Sequence, residues 1–201
     1  GANEAAVHVL LPIVSHFRNA HPDAQVEVRR IPARQVANEV INGALDFGVL
    51  TFDPAERGLN SVAIGADELV LLTSPDHPLA ARKEISMEEF GRQTVIAHND
   101  PSPARERVLR LSEQRHAPIN IQMSFPSLDG IKRAVEMGLG VALLPRRCAL
   151  TEISRQQVAV VKVSQLRLPR QVRLVYRRSG EFSRAAAAFL DSAKQAARKL
   201  D

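Results

Sequence analysis

Val135-Glu136-Met137-Gly138-Leu139-Gly140-Val141-Ala142-Leu143-Leu144-Pro145-Arg146 says more about the fold than any other stretch of this chain. It reads as a helix that glycine stops, passing at once into a short apolar strand that Pro145 ends. A strand apolar at every position, rather than at alternate ones, is buried on both faces, which predicts a parallel sheet between helices. The same design recurs earlier: Ala33 to Asn42 reads as a helix, Gly43 ends it, and Leu45-Asp46-Phe47-Gly48-Val49-Leu50 is the strand. Two helix-glycine-strand units so far apart predict repeated α/β lobes.

Length and composition allow this. A chain of 201 residues can bury a full core as one large domain or two small lobes. With 45% hydrophobic and 24% charged residues it has globular composition, and none of its apolar runs is long enough to span a membrane. The net charge of +5 could mark a nucleic-acid surface, but the basic residues are dispersed. The densest places are Arg146-Arg147, Arg167 to Arg178 and Arg198-Lys199, a pattern that favours solvated faces. The single cysteine, Cys148, excludes an internal disulfide and fits a reducing cytoplasm, and on an amphipathic helix it reads as packing. Gly1-Ala2-Asn3-Glu4 carries no initiator methionine or signal peptide and runs almost directly into a helix, so the chain reads as a piece of something longer.

The elements alternate. A helix from about Ala5 to Ala20 carries Val9, Leu10, Ile13, Val14 and Phe17 on one face and stops at His21-Pro22. Strand Gln25 to Ile31 follows, then the first helix-glycine-strand unit and an extended section from Leu59 to Ser74 that Ser74-Pro75-Asp76-His77-Pro78 breaks. Ser86 to Gly91 reads as a short helix in which Ser86 and Glu89 form a capping box. Strand Thr94 to Ala97, the loop His98 to Pro103, a helix from Ala104 to His116 and strand Ile119 to Phe125 come next. Ser127 caps the helix that enters the opening stretch; a helix Arg147 to Ser154, strands Val158 to Val163 and Val172 to Tyr176, and a final helix Ser183 to Lys199 complete the chain.

Leu10-Leu11-Pro12 with Phe17-Arg18 and His21-Pro22-Asp23, Asn42 to Gly48, Leu69 to Leu72 with Ser74 to Ala80, and Gly138 to Arg146 occur in that order across nearly the whole chain. Together they resemble the effector-binding domain of LysR-type transcriptional regulators. The resemblance implies an α/β, type II periplasmic-binding-protein-like fold, with two α/β lobes joined by two crossover strands near Leu71-Leu72 and Arg173-Leu174. Lobe I would comprise residues 1–72 and 174–201, and lobe II residues 73–173. It also implies an N-terminal winged helix-turn-helix domain absent from this chain, and pairing of lobe I with lobe II of a partner in an antiparallel dimer or tetramer. The helices Ala5 to Ala20 and Leu128 to Met137 are the expected dimer faces, with Val9 and Phe17 as contacts.

In open α/β sheets ligands sit beyond the carboxyl ends of strands, where helix N-termini offer backbone N–H groups and a positive dipole end to an anion. Here those places are Ala2 to Ala6, Pro32 to Arg34, Thr51-Phe52, His98 to Arg105 and Pro126 to Leu128. The family's pocket maps onto the same loops, so the candidate ligand-binding residues are Asn3, Glu4, Ala5, Thr51, Phe52, His98, Asn99, Ser102, Arg105 and Ser127. Each has a plainer reading: Asn3 and Glu4 as a helix cap, Thr51 and Ser102 as loop hydroxyls, Arg105 as a surface residue. His98-Asn99-Asp100 lacks a second ligand at metal spacing, and Ser102 with His98 lacks a nucleophile elbow and an orienting partner, so neither metal nor catalysis is expected. No cofactor is expected. The leading reading is a cytoplasmic ligand-sensing regulatory domain that binds a small anionic effector in the interlobe cleft and acts on DNA through the absent domain. The rival is a solute-binding protein of a transport system with the same fold.

Overall fold

The structure, a computed structural model, describes residues 1–166 and 170–199. Arg167, in the densest basic stretch, and residues 200 and 201, at the end of the predicted lobe I, lie outside the described residues. The chain divides into two compact units, Gly1–Ala66 with Arg170–Asp201, and Asp67–Pro169.

In the first unit α1 spans Glu4–Ala20 and turns Ala6, Val9, Leu10, Ile13 and Phe17 inward at helical spacing. Pro12 sits on its exposed side, where the missing N–H leaves one helical bond unmade. α7, Arg184–Arg198, is capped by Ser183 and packs beside α1, with Phe189 edge-on to Phe17 at 5.3 Å between ring centres. Both helices cover a sheet of order β1-β9-β2, formed by Phe47–Leu50, Arg170–Arg177 and Leu59–Asp67. β1 runs antiparallel to β9 in the register Phe47↔Tyr176 to Leu50↔Arg173. On the other side of β1, Ala2 makes parallel bridges to both Val49 and Arg30. α2, Ala33–Ile41, lies on Leu50 and Val175, and so closely that a Cβ on Gly48 would stand 2.2 Å from Val36 Cγ1.

Two expectations change here. Gln25 to Ile31 is not a strand: only Arg30 bridges, because Ala2 is the one residue alongside it to pair with. Val9 and Phe17 are not a dimer face either; both are core residues of this unit, and the exposed apolar side chain of α1 is Leu11, 51% exposed.

The second unit holds a sheet of order β4-β8-β3-β7, from Glu84–Ile85, Ala159–Val163, Leu69–Thr73 and Ala142–Pro145. A further pair, β5 (Val95–His98) and β6 (Ile121–Phe125), joins it through the parallel bridge Val95↔Val141. The apolar runs are buried as predicted, but the sheet is mixed: β3 is antiparallel to both β7 and β8, while β4 with β8 and β5 with β6 are parallel. Burial on both faces constrains composition, not direction. Leu71 and Leu72 therefore lie inside β3 of this unit, and Arg173 and Leu174 inside β9 of the other.

The helices here are α3 (Met87–Gly91), α4 (Pro103–Gln114), α5 (Leu128–Glu136) and α6 (Leu150–Ser154). α6 is shorter than predicted, since a 3-10 turn takes Arg146–Ala149 and buries Cys148. The predicted capping box is formed, Ser86 Oγ accepting from the Glu89 N–H and the Glu89 carboxylate accepting from the Ser86 N–H. At the end of α5 the Leu139 N–H donates to the Ala134 carbonyl and the Gly138 N–H to that of Val135, a Schellman closure that needs the φ of +78° found at Gly138. Gly140 has a different reason. A Cβ there would stand 2.6 Å from the Thr94 carbonyl oxygen, at the point where Val141 enters the sheet and donates to that same oxygen. Lys132 of α5 is 8% exposed at its side chain and binds Glu152 at 2.7 Å, Asp129 at 3.2 Å and the Cys148 carbonyl at 2.9 Å, tying α5 to α6 and the turn before it.

Candidate functional site

The predicted residues fall into two groups, one on each unit, and each group stands where strands end and helices begin. On the first unit the parallel run of Arg30, Ala2 and β1 brings three chain segments to one edge. Beyond that edge α1 starts at Glu4, α2 starts after Pro32, and β1 leads into Thr51 and Phe52. The Asn3 side-chain oxygen accepts the Ala6 N–H at 2.9 Å, so Asn3 caps α1 as its plainer reading held. Glu4 lies 3.6 Å from the Arg30 guanidinium, an acid at the positive end of the helix with a cation beside it. Ala5 occupies the first turn, half-buried. Thr51 and Phe52 are half-buried in a bend after β1, and Phe52 packs on the cluster under α2. The α2 end has no capping side chain and no acid in its first turn.

On the second unit β5 and β6 run parallel and finish together, His98 beside Phe125. The Asn99 N–H donates to the Phe125 carbonyl at 2.9 Å, which fixes the loop after β5 against that before α5. His98 Nδ1 accepts the Asp100 N–H at 3.0 Å, and the His98 carbonyl accepts from Arg105 Nη1 at 2.8 Å. Ser102 caps α4, its Oγ accepting the Arg105 N–H at 3.2 Å, and Pro103 takes the first helical position. Ser127 caps α5 in the same way, accepting the Gly130 N–H at 3.1 Å. His98, Asn99, Ser102, Arg105 and Ser127 thus form one rim, built on two parallel strand ends and two helix starts.

This rim carries two helix dipoles and a guanidinium whose position is set by a backbone carbonyl, an arrangement suited to hydrogen-bonding an anion. The Ser102 Oγ accepts from its own helix, and His98 Nδ1 accepts from a backbone N–H. Among the described residues no three His, Cys, Asp or Glu side chains are grouped to hold a metal ion, and no helix is long and apolar enough to cross a membrane. Arg30 is the neighbour sequence reasoning missed; only the parallel bridge of Ala2 to Arg30 brings it to Glu4, and bridge partners are not written in sequence spacing.

Solved structures share this architecture. The Synechocystis PCC6803 CcmR regulatory domain in complex with 2-PG superposes with a TM-score of 0.88, at 19% identity, over 99% of this chain and 96% of that one. The effector binding domain of QuiR in complex with shikimate gives 0.84 at 18% identity, over 99% and 95%. These likenesses establish the type II periplasmic-binding-protein-like fold. In sequence, a probable RuBisCO transcriptional regulator of Synechocystis sp. is 27% identical over 94% of this chain, which spans 57% of that relative's length. The model of the LysR substrate binding domain matches residues 1–198, and with the motifs, the fold and the relatives in agreement the chain belongs to that family.

Proposed function

We propose that this chain is the effector-sensing part of a longer, cytoplasmic transcriptional regulator, and that rims of this kind serve to bind a small anionic effector. The observation that carries this reading is the convergence of helix N-termini on strand carboxyl ends in each unit: α1 and α2 beside Thr51 in the first, α4 and α5 beside His98 in the second. The CcmR domain with 2-PG and the QuiR domain with shikimate support a small ligand for this chain too. Family membership supports a regulator over the transport alternative, and the capped Ser102 and engaged His98 support binding without turnover. Binding would bias the units between two arrangements, which requires different affinity for each. The signal would reach DNA through a winged helix-turn-helix domain preceding this chain, with the two units as lobes I and II.

The test is a thermal-shift measurement with inorganic phosphate, 2-PG and shikimate as probes, since a ligand bound only by the folded state raises the melting temperature. One of them is expected to raise it, and Thr51→Val and Ser102→Asp to abolish the rise. Aspartate keeps the α4 cap but sets a negative charge where the anion would lie. A shift that survives both substitutions refutes the site.

We place dimer contacts at Leu11 on the first unit and at Met137, 62% exposed, and Leu139 on the second, in the antiparallel pairing of lobe I with a partner's lobe II. Leu11→Glu or Met137→Lys should yield monomers in sedimentation. Unchanged mass in both refutes this interface.

A further inference from the structure

Arg173 on β9 is the register partner of Leu50, the last residue of β1. Residues paired in this way share one face of a sheet, so the Arg173 side chain stands on the face where Leu50 and Val175 meet α2. From there its guanidinium reaches the loop that follows β1, Nε lying 2.8 Å from Asp53 Oδ1. Arg173 therefore holds the chain on both sides of Thr51 and Phe52, at Leu50 through strand register and at Asp53 through its side chain.

The two members of this ion pair are not equal. The Asp53 side chain is 73% exposed and that of Arg173 only 24%. Arg173 Nη1 also donates to Ser61 Oγ of β2 at 3.3 Å, and Nη2 to Gln171 Oε1 of β9 at 2.9 Å. Two of its three partners thus belong to the sheet and would keep the guanidinium in place if Asp53 let go. The sheet holds the arginine, and the arginine holds the loop. The far end of that loop is fixed separately, the Gly58 carbonyl accepting the Arg178 N–H at 2.8 Å. Phe52 rests on the apolar cluster under α2, but apolar contact has no direction; the charge-assisted bond to Asp53 sets a distance and an angle.

We infer that Arg173 is a positioning residue for effector binding, which clips the Thr51–Phe52 bend through Asp53 and so sets the place of the Thr51 hydroxyl before a ligand arrives. Resting on the effector reading above, this adds to it a residue that acts through Thr51 rather than by its own contact. A binding group ordered in advance spares the ligand the cost of ordering it. A second role is open to Asp53, since a carboxylate beside an anion site repels the anion. That role has the opposite sign: removing the carboxylate would tighten binding.

Asp53→Ala and Asp53→Asn separate the two. Alanine removes the tie, whereas asparagine removes the charge and keeps an oxygen that accepts from Arg173 Nε. Without ligand, the melting temperature of Asp53→Ala should fall by no more than about 3 °C, because the acid is mostly exposed. Backbone order parameters of Thr51 and Phe52 from nitrogen relaxation should drop in the same variant, from roughly 0.85 to about 0.6. Inorganic phosphate, 2-PG and shikimate are then titrated in turn. For each probe that binds the wild-type chain, the dissociation constant should rise roughly two- to fivefold in Asp53→Ala and less in Asp53→Asn. Equal or tighter binding in Asp53→Ala overturns the inference, as do order parameters that match the wild type. A wild-type chain that binds none of the three probes fails the effector reading itself, and the part given to Arg173 falls with it.

Discussion

Replacing Lys132 by methionine tests how the second unit is held together. The methionine keeps the length of the apolar stem and removes only the ammonium, which binds Glu152 at 2.7 Å, Asp129 at 3.2 Å and the Cys148 carbonyl at 2.9 Å. These contacts differ in worth. The Asp129 side chain is 91% exposed and returns to water freely, so its pair is worth roughly 0–0.5 kcal/mol. Glu152, 23% exposed, and the carbonyl each lose a charge-assisted bond worth about 1.5–3 kcal/mol. The buried thioether returns roughly 1–2 kcal/mol of apolar burial. The net expectation is a loss of about 2–4 kcal/mol, or a fall in melting temperature of roughly 5–15 °C for a chain of this size. Urea unfolding of Lys132→Met, Glu152→Gln and the double variant measures it, and the cycle should show coupling of about 1–3 kcal/mol. A pH series adds a second reading. Burial alone would lower the Lys132 pKa, but hydrogen bonds to Glu152 and Asp129 outweigh it and raise the pKa above its ordinary value. A raised folded pKa means the stabilisation is complete below the unfolded value near 10.4 and is lost as pH rises through the folded one. The gap between wild type and Lys132→Met should therefore stay level from about pH 6 to 9 and narrow as pH rises above the ordinary lysine value. A gap under about 0.5 kcal/mol, or a cycle that closes to zero, would refute the network.

The two glycines of the opening stretch should separate in a melt: Gly140→Ala costs roughly 2–4 kcal/mol because its Cβ meets the Thr94 carbonyl oxygen at 2.6 Å, while Gly138→Ala, with open space and only left-handed strain, costs about 1 kcal/mol. Equal costs would show that the close approach at Gly140 relaxes. Ser86→Ala should lose about 1 kcal/mol in urea unfolding through the N-cap of α3, and no loss would mean the capping box is not formed in solution. Val9→Asp should unfold the first unit by circular dichroism, whereas Leu11→Glu should leave it folded; the reverse order would refute the assignment of the α1 faces.

Helix ends were the legible part of this chain because their chemistry is local. Ser86, Ser127 and Ser183 cap within three residues, and Gly138 closes a helix through hydrogen bonds that span three and five positions. Strand pairing was not local. Gln25 to Ile31 alternates like a strand, yet whether it pairs depends on what lies beside it, and the structure places only Ala2 there. The direction of β7 escaped for the same reason: an apolar run records two covered faces and nothing about neighbours. β4, two residues long, offers no period to read. The Lys132 network joins residues up to twenty apart, and a lysine on a helix gives no sign in sequence that its end will be buried.

Capping and ligand binding looked like competing roles for Asn3, but its geometry is compatible with both, as it is at Ser102 and Ser127. In each the side-chain oxygen accepts a helical N–H, at 2.9, 3.2 and 3.1 Å. An acceptor engaged in this way leaves the hydroxyl proton of the serines and the amide protons of asparagine as what they can still offer. Each cap is therefore a donor whose acceptor is turned into the protein, Asn3 at the positive end of α1 on the first unit and Ser102 and Ser127 at those of α4 and α5 on the second. Donors placed in this way suit carboxylates and phosphates better than cations. The selectivity follows from satisfying the helix ends, so residues needed to fold these units also set the charge of the ligand they could hold.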